Sequence, residues 1–233
     1  MKKGIRSDLA WSTVDKIVVR GKDLPNEILG HLGLGDMAFL MILGRVPDKN
    51  ESKLFNAMAV TLVEHGITPS AIAARMTYVG APESPQAAVA AGLLGLGSVF
   101  VGSMEGVAKM LTEGADIGKM KRVPGLGHPL HKQGDPRTRR LFEIARETGF
   151  YGKYCKRMEE IGKERGLVVN ATGAIGALAC ELGIDWRAVR GIGVMARAIG
   201  LVGHILEEAK QPMALELWER TEEEASAHAR PKK

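Results

Sequence analysis

"PGLGHPLHKQGDPRTRR", residues 124–140, holds three glycines, two histidines and a basic cluster around one Asp-Pro-Arg. It is a glycine loop that runs into a helix opened by Pro136, a residue favoured in the first helical turn. That helix turns Leu141, Ile144 and Ala145 inward and closes at Gly149. Outward from it, apolar residues recur at helical spacing. "DMAFLMILGRVP" is a short helix stopped by Gly44 and Pro47, and "NESKLFNAMAVTLVEHG" starts at an Asn50 cap and ends at Gly66. Further helices are predicted over 70–79, 86–96, 102–112, 151–165, 168–182 and 185–209. Ahead of them the β-branched run Lys16–Val19 turns at Arg20-Gly21-Lys22, a small hairpin leading into a helix from about Pro25. The fold class is all-α with a minor β hairpin. Strands do not alternate with helices, and Gly125–Gly127 followed by His128 is not a dinucleotide fingerprint.

Composition narrows the function. The chain has 233 residues, 45% hydrophobic and 25% charged, as a globular protein should. Aromatics make up only 5%, so the core is built from Ala, Leu, Val and Met. Cys155 and Cys180 have no metal-ligand spacing, which predicts a reduced, cytoplasmic setting and no metal centre. "MKKG" is followed by no apolar signal region and no run of 18 apolar residues occurs, so no membrane partner is expected. The net charge of +5 suits an anionic small substrate as well as nucleic acid. Much of the excess lies in 119–140 with no aromatic platform beside it, which argues against nucleic acid. "ERTEEEASAHARPKK", residues 219–233, is expected to be a frayed or disordered tail.

The loop also carries chemistry. Gly125-Leu126-Gly127 lets a flat ligand approach the main chain closely, and His128 titrates near neutrality, suited to moving protons. Arg137, nine residues on, can grip a carboxylate bidentately. Singly, each has a plainer reading: a turn, a structural histidine, a solvated arginine. Together they point to a small-anion site.

"GLGHPLHKQGDPR" resembles the Gly-x-Gly-His…Asp-Pro-Arg segment of the citrate synthase family. "LVEHGITPSAIAAR" (62–75), "LVVNATGAIGAL" (167–178) and "VMARAIGLVGHILEE" (194–208) resemble three more of its segments, in the family's order. "VDKIVVRGKDL" (14–24) is similar to the small β element before the family's core, and the length fits the short, citryl-CoA lyase-like branch.

The resemblance implies a two-lobed, all-α homodimer or higher homo-oligomer. The large lobe would be 1–104 plus 184–233, and 105–183 would carry the CoA loop. It implies an acyl-CoA-dependent carbon–carbon lyase, or the reverse condensation, with coenzyme A as substrate and no metal or redox cofactor. By the same resemblance His65 would touch the keto acid. His128 would bond the keto oxygen in synthesis or the tertiary hydroxyl in cleavage, and Arg137 and Arg197 would bind carboxylates. Pro124, Gly125, Leu126 and Gly127 would meet the adenine through the backbone, with Lys121, Arg122 and Lys132 near the phosphates. His204 is read as packing and hydrogen bonding.

Three departures from the family pattern bear on activity. Its catalytic aspartate falls at Thr172, whose hydroxyl cannot act as a carboxylate base. Its enol-stabilising histidine falls at Glu105. Its partner-subunit arginine has no clear match in "QPMALELWER", where Arg220 is the nearest candidate. The expectation is that His128 takes the hydroxyl proton, Glu105 moves the proton at carbon and Thr172 orients the thioester oxygen. The rival is a non-catalytic paralogue that binds acyl-CoA or a keto acid.

Overall fold

Arg20 and Gly21 both take left-handed backbone angles, φ 49° and 78°, and so close a two-residue hairpin turn. Arginine seldom adopts that conformation; here its Nη2 donates to the Met41 carbonyl at 2.6 Å, which ties the turn to the following helix. These features come from a computed structural model that describes residues 4–230. The strands are β1 (Ala10–Ser12), β2 (Ile17–Val19) and β3 (Lys22–Asp23), antiparallel in the order β1-β2-β3, with Trp11 opposite Val18 and Val19 opposite Lys22. The hairpin stands as expected; β1, three exposed residues, is too short to show alternation in the sequence.

Among the described residues ten α-helices follow: α1 (Leu34–Leu43), α2 (Lys49–Val63), α3 (Pro69–Gly80), α4 (Pro85–Leu94), α5 (Gly102–Glu113), α6 (Pro136–Thr148), α7 (Lys153–Arg165), α8 (Ala171–Glu181), α9 (Trp186–Lys210) and α10 (Ala214–Ser226). The all-α reading therefore holds. Three local expectations do not. The helix from Pro25 is a single turn, Leu24–Ile28, ended as Gly30 goes left-handed at φ 77°. The cap of α2 is Asp48, whose Oδ1 accepts the Asn50 and Glu51 N–H groups. The tail expected to fray is helical to Ser226 and continues in a turn over Ala227–Ala229; positions 231–233 lie outside the described residues. Its start is fixed because Glu208 Oε1 accepts the N–H groups of Met213 and Ala214, and Ala214 is buried.

The chain divides into two compact units. One comprises the chain up to Thr61 together with Met104–Val189; the other comprises Leu62–Ser103 and the chain from Arg190. The division expected from the sequence sets 4–61 apart from 105–183. Here those residues share a unit, and Lys53 of α2 pairs with Glu147 of α6 at 2.6 Å.

In the first unit α8 is the central element, buried at every residue from Gly173 to Cys180. Its small residues make that possible: a Cβ on Gly176 would fall 2.6 Å from Val107, and one on Gly173 would fall 2.3 Å from the Gly125 carbonyl. Neighbouring backbone thus reaches the axis of α8. Val19, Ile28 and Leu40 form a smaller core between the hairpin and α1.

In the second unit, Gly92 of α4 lies against Leu201 of α9 and the Ser70 carbonyl of α3, and Gly200 of α9 lies against the Val63 carbonyl. A side chain at either glycine would push the helices apart. Among the described helices, α9 is long and apolar enough to cross a membrane, but half of that window is buried inside the protein and it carries the buried Arg197 and His204. Those features mark a core helix.

Candidate functional site

The first unit builds its site on the loop before α6 and the turn before α8. Gly127 N–H donates to the Val168 carbonyl at 2.7 Å and Asn170 N–H to the Gly125 carbonyl at 3.0 Å, so Leu126 bridges antiparallel to Val169. Asn170 adds a third tie: its Nδ2 donates to the Gly127 carbonyl at 2.7 Å. The Gly125 and Gly127 groups that face α8 are therefore already bonded. In a bridge of this kind the intervening residue points its own N–H and C=O the other way, so Leu126 carries the backbone edge left for a ligand. Gly125 and Gly127 both sit at positive φ, 77° and 76°, for different reasons. A Cβ at Gly125 would meet Gly173 and Val107 at 2.6 Å, whereas one at Gly127 meets nothing within 4 Å. Gly125 is needed for packing; Gly127 keeps open space. Lys121, Arg122 and Lys132 are exposed around the loop.

His128 is fixed by its own loop. Nδ1 accepts the N–H groups of Leu130 and His131 at 3.2 and 3.1 Å, and the ring stacks on His131 with centroids 4.5 Å apart. A neutral imidazole whose Nδ1 accepts carries its proton on Nε2. Arg137 Nη2 lies 3.4 Å from that Nε2. With the proton on Nε2, one oxygen placed beside the two nitrogens can accept from both. The sequence reading of His128 as the group that deprotonates a hydroxyl gives way, in this geometry, to a donor toward oxygen.

Asp135 holds Arg137 in place. Its carboxylate, with no exposed side-chain surface, accepts Arg137 Nε at 3.0 Å and Nη2 at 2.8 Å, and also the N–H groups of Arg137 and Ala171. Burial alone would raise the Asp135 carboxyl; the Arg137 guanidinium and these N–H donors hold it below the ordinary aspartate value. The bidentate partner of Arg137 is therefore Asp135, and a substrate carboxylate is left the outer edge of the guanidinium. The Asp-Pro-Arg spelling carried this signal, since a carboxylate ahead of a Pro-started helix caps it and can turn back on the arginine.

Thr172 and Glu105 sit in the same unit. Thr172 Oγ1 donates its one hydrogen to Asn170 Oδ1 at 2.7 Å, which also accepts the Gly173 N–H. With that hydrogen committed, Thr172 supports the cap of α8 and cannot donate to a thioester oxygen as the sequence reading had it. Glu105 is half-buried in the first turn of α5, and the next residue, Gly106, lies against Pro124 of the loop, 3.5 Å from where a Cβ would stand.

His65 and Arg197 belong to the second unit. His65 is exposed in the turn after α2, where Glu64 Oε1 accepts its N–H at 2.7 Å and that of Gly66 at 2.5 Å. Arg197 of α9 is 7% exposed, and its Nε and Nη1 have no hydrogen-bond partner among the described residues. Burial pushes Arg197 below its ordinary value, with the charge of Glu64 pulling the other way. A buried guanidinium with unused N–H groups is a place for an anion. Sequence reasoning overlooked Glu64, Arg75 and Glu208; an arginine among the small residues of "SAIAARMTY" was the available signal.

Comparison with known proteins gives the same family. Residues 18–218 match the family model for the C-terminal domain of citrate synthase. The citryl-CoA lyase of Hydrogenobacter thermophilus is 35% identical and superposes with a TM-score of 0.83, over 90% of this chain and 88% of that one. The ATP citrate lyase of Methanothrix soehngenii, solved with citrate and coenzyme A, has the same fold at 21% identity, a TM-score of 0.74 and 90% of this chain, but 39% of its own. Citrate synthase 2 of Bacillus subtilis is 26% identical over 202 residues, 79% of this chain. The chain spans 54% of that enzyme and 36% of the ATP-citrate synthase beta chain protein 1 of Arabidopsis thaliana, which is 27% identical.

Proposed function

The chain belongs to the citrate synthase family, and from that membership we propose that it is an acyl-CoA-dependent carbon–carbon lyase, cleaving a β-hydroxyacyl-CoA such as citryl-CoA to acetyl-CoA and a keto acid such as oxaloacetate, or running the reverse condensation. The observation that carries this reading is the pair of donors, His128 Nε2 and Arg137 Nη2, 3.4 Å apart beside the glycine loop. The citryl-CoA lyase similar over nearly its whole length supports the lyase direction.

In the proposed cleavage the oxygen on the β-carbon sits between His128 and Arg137, which stabilise it as it becomes a carbonyl. The carbon–carbon bond breaks and its electron pair passes to the thioester enolate. Glu105 delivers a proton to the enolate carbon and the hydroxyl proton passes to solvent water, so one proton enters, one leaves, and no oxidation state changes. Leu126 presents its backbone edge to the adenine of coenzyme A, and Lys121, Arg122 and Lys132 offset its phosphates. Taken by itself, the second unit offers His65 and Arg197 for binding a keto acid.

We assign the protein to the cytoplasm on its two thiols, and to a homodimer on an apolar surface of the second unit. Ile199, Val202 and Leu206 of α9 are exposed at helical spacing, as are Leu215 and Trp218 of α10. A second reading, a paralogue that binds acyl-CoA without turnover, is favoured by one observation: a non-ionising Thr172 whose hydrogen is committed to Asn170. Incubation with a panel of β-hydroxyacyl-CoAs, followed by mass spectrometry, separates the two. Release of acetyl- or propionyl-CoA supports the lyase; tight binding with every thioester intact supports the paralogue.

A further inference from the structure

Arg75 is 1% exposed in a helix otherwise made of small and apolar residues, and a guanidinium so buried is tolerated only when fully paired. Its Nη1 donates to Glu208 Oε2 at 2.8 Å, a carboxylate whose other oxygen anchors α10. Nη2 meets Glu207. Nε and Nη2 reach His204 Nδ1 at 3.1 and 2.9 Å. That Nδ1 is therefore an acceptor, and the His204 proton lies on Nε2. Nε2 is 3.0 Å from Glu64 Oε2, a close contact that lies off the N–H axis. The other oxygen of Glu64 accepts the His65 and Gly66 N–H groups. Gly200 lets α9 come near enough, since a Cβ there would stand 2.0 Å from the Val63 carbonyl and 3.0 Å from Glu64 Oε2.

We infer that Arg75, His204 and Glu64 form a positioning relay, running from the start of α10 to the turn that carries His65, which sets the affinity of the second unit for the 2-oxo acid. Arg75 fixes the tautomer of His204, the Nε2 edge of His204 stands 3.0 Å from one oxygen of Glu64, and the other oxygen of Glu64 holds the backbone of His65 and Gly66. Glu64 is also the charge that faces Arg197, so the same carboxylate governs two groups of the second unit. None of the three touches substrate. Their effect passes through the placing of His65, where losing one hydrogen bond to a charged ligand costs about 10- to 100-fold in affinity. The inference rests on the proposed function, which assigns His65 and Arg197 to the keto acid.

The test measures binding of oxaloacetate and of acetyl-CoA separately, by calorimetry, in wild type, Glu64→Gln, His204→Leu and His204→Gln. Glu64→Gln keeps an oxygen for the two N–H groups but turns an amide donor toward His204. It should weaken oxaloacetate by about 10- to 100-fold and leave acetyl-CoA within about twofold. His204→Leu should do the same, while His204→Gln, which keeps an acceptor for Arg75 and a donor for Glu64, restores most of the affinity. A merely structural role would move both ligands together, or neither. If His204→Leu does not fold, Glu64→Gln decides alone, because Glu64 is at the surface and is not needed to neutralise Arg75. Unchanged oxaloacetate binding in Glu64→Gln, or equal weakening of acetyl-CoA, overturns the relay. A wild type that binds neither ligand overturns the proposed function and the relay with it; a wild type that binds both, with variants unchanged, overturns the relay only.

Discussion

His128 Nε2 and Arg137 Nη2 lie 3.4 Å apart, so one oxygen atom beside the pair can accept from both. Each is locked from behind: His128 by two N–H groups on Nδ1, Arg137 by both oxygens of Asp135. Preorganised donors of this kind stabilise charge that develops on an oxygen without reorganising when it does.

Replacing His128 with Ala should therefore lower turnover of citryl-CoA by about 10²–10³-fold with little change in acetyl-CoA affinity. Steady-state kinetics alongside calorimetry checks both halves. An equal fall in acetyl-CoA affinity would assign His128 to binding the thioester instead.

Asp135→Asn breaks a pair whose carboxylate is fully buried, and should destabilise the protein by about 3 kcal/mol near neutral pH. The sign of its pH dependence follows from the lowered carboxyl. A group depressed below its ordinary value, 3.8, contributes stability that is present above that value and is lost as pH falls through the folded-state value. The gap between wild type and Asp135→Asn in urea titrations should thus narrow below about pH 4. A gap that stays constant into acid would show that Asp135 is not the ionised partner of Arg137.

The two loop glycines should respond differently. Gly125→Ala has no room and must displace Gly173 or Val107, so it should lower the melting temperature and disturb α8. Gly127→Ala has room and carries only the backbone cost of positive φ, about 1–2 kcal/mol. Gly127→Val should weaken acyl-CoA binding while helical content by circular dichroism stays near wild type. Undiminished binding would remove the loop from the thioester site.

Much of this was legible in the residues. Helix spacing with Gly and Pro stops located α3 to α9, and the Gly-x-Gly-His and Asp-Pro-Arg spellings located one half of the site. What was not legible depends on partners distant in sequence. Arg75 reads as a surface arginine until Glu208 and His204, more than 120 positions later, are beside it. Thr172 reads as a free hydroxyl until Asn170 takes its hydrogen. The α10 helix was missed because its charge density hid the Leu215 and Trp218 spacing, and because its anchor, Glu208, lies in the preceding helix.

The thiols offer a check on the packing of the first unit. Burial pushes Cys180 up to about 12 and Cys155 higher still, with the charge of Glu181 adding to both. Neither should react with a disulfide reagent at mildly alkaline pH in the native state, and both should react on unfolding. Rapid labelling of the native protein would contradict the buried placement of α7 and α8.

The most direct measurement is a single turnover of citryl-CoA in deuterium oxide, with the acetyl-CoA product analysed by mass spectrometry. The account predicts that acetyl-CoA and oxaloacetate appear in equal amounts and that the acetyl methyl carries one solvent deuteron, delivered to the enolate carbon. Glu105→Gln should slow this release by about 10²–10⁴-fold. Citryl-CoA that binds and is recovered intact from wild type would contradict the lyase reading and leave a binding protein in its place.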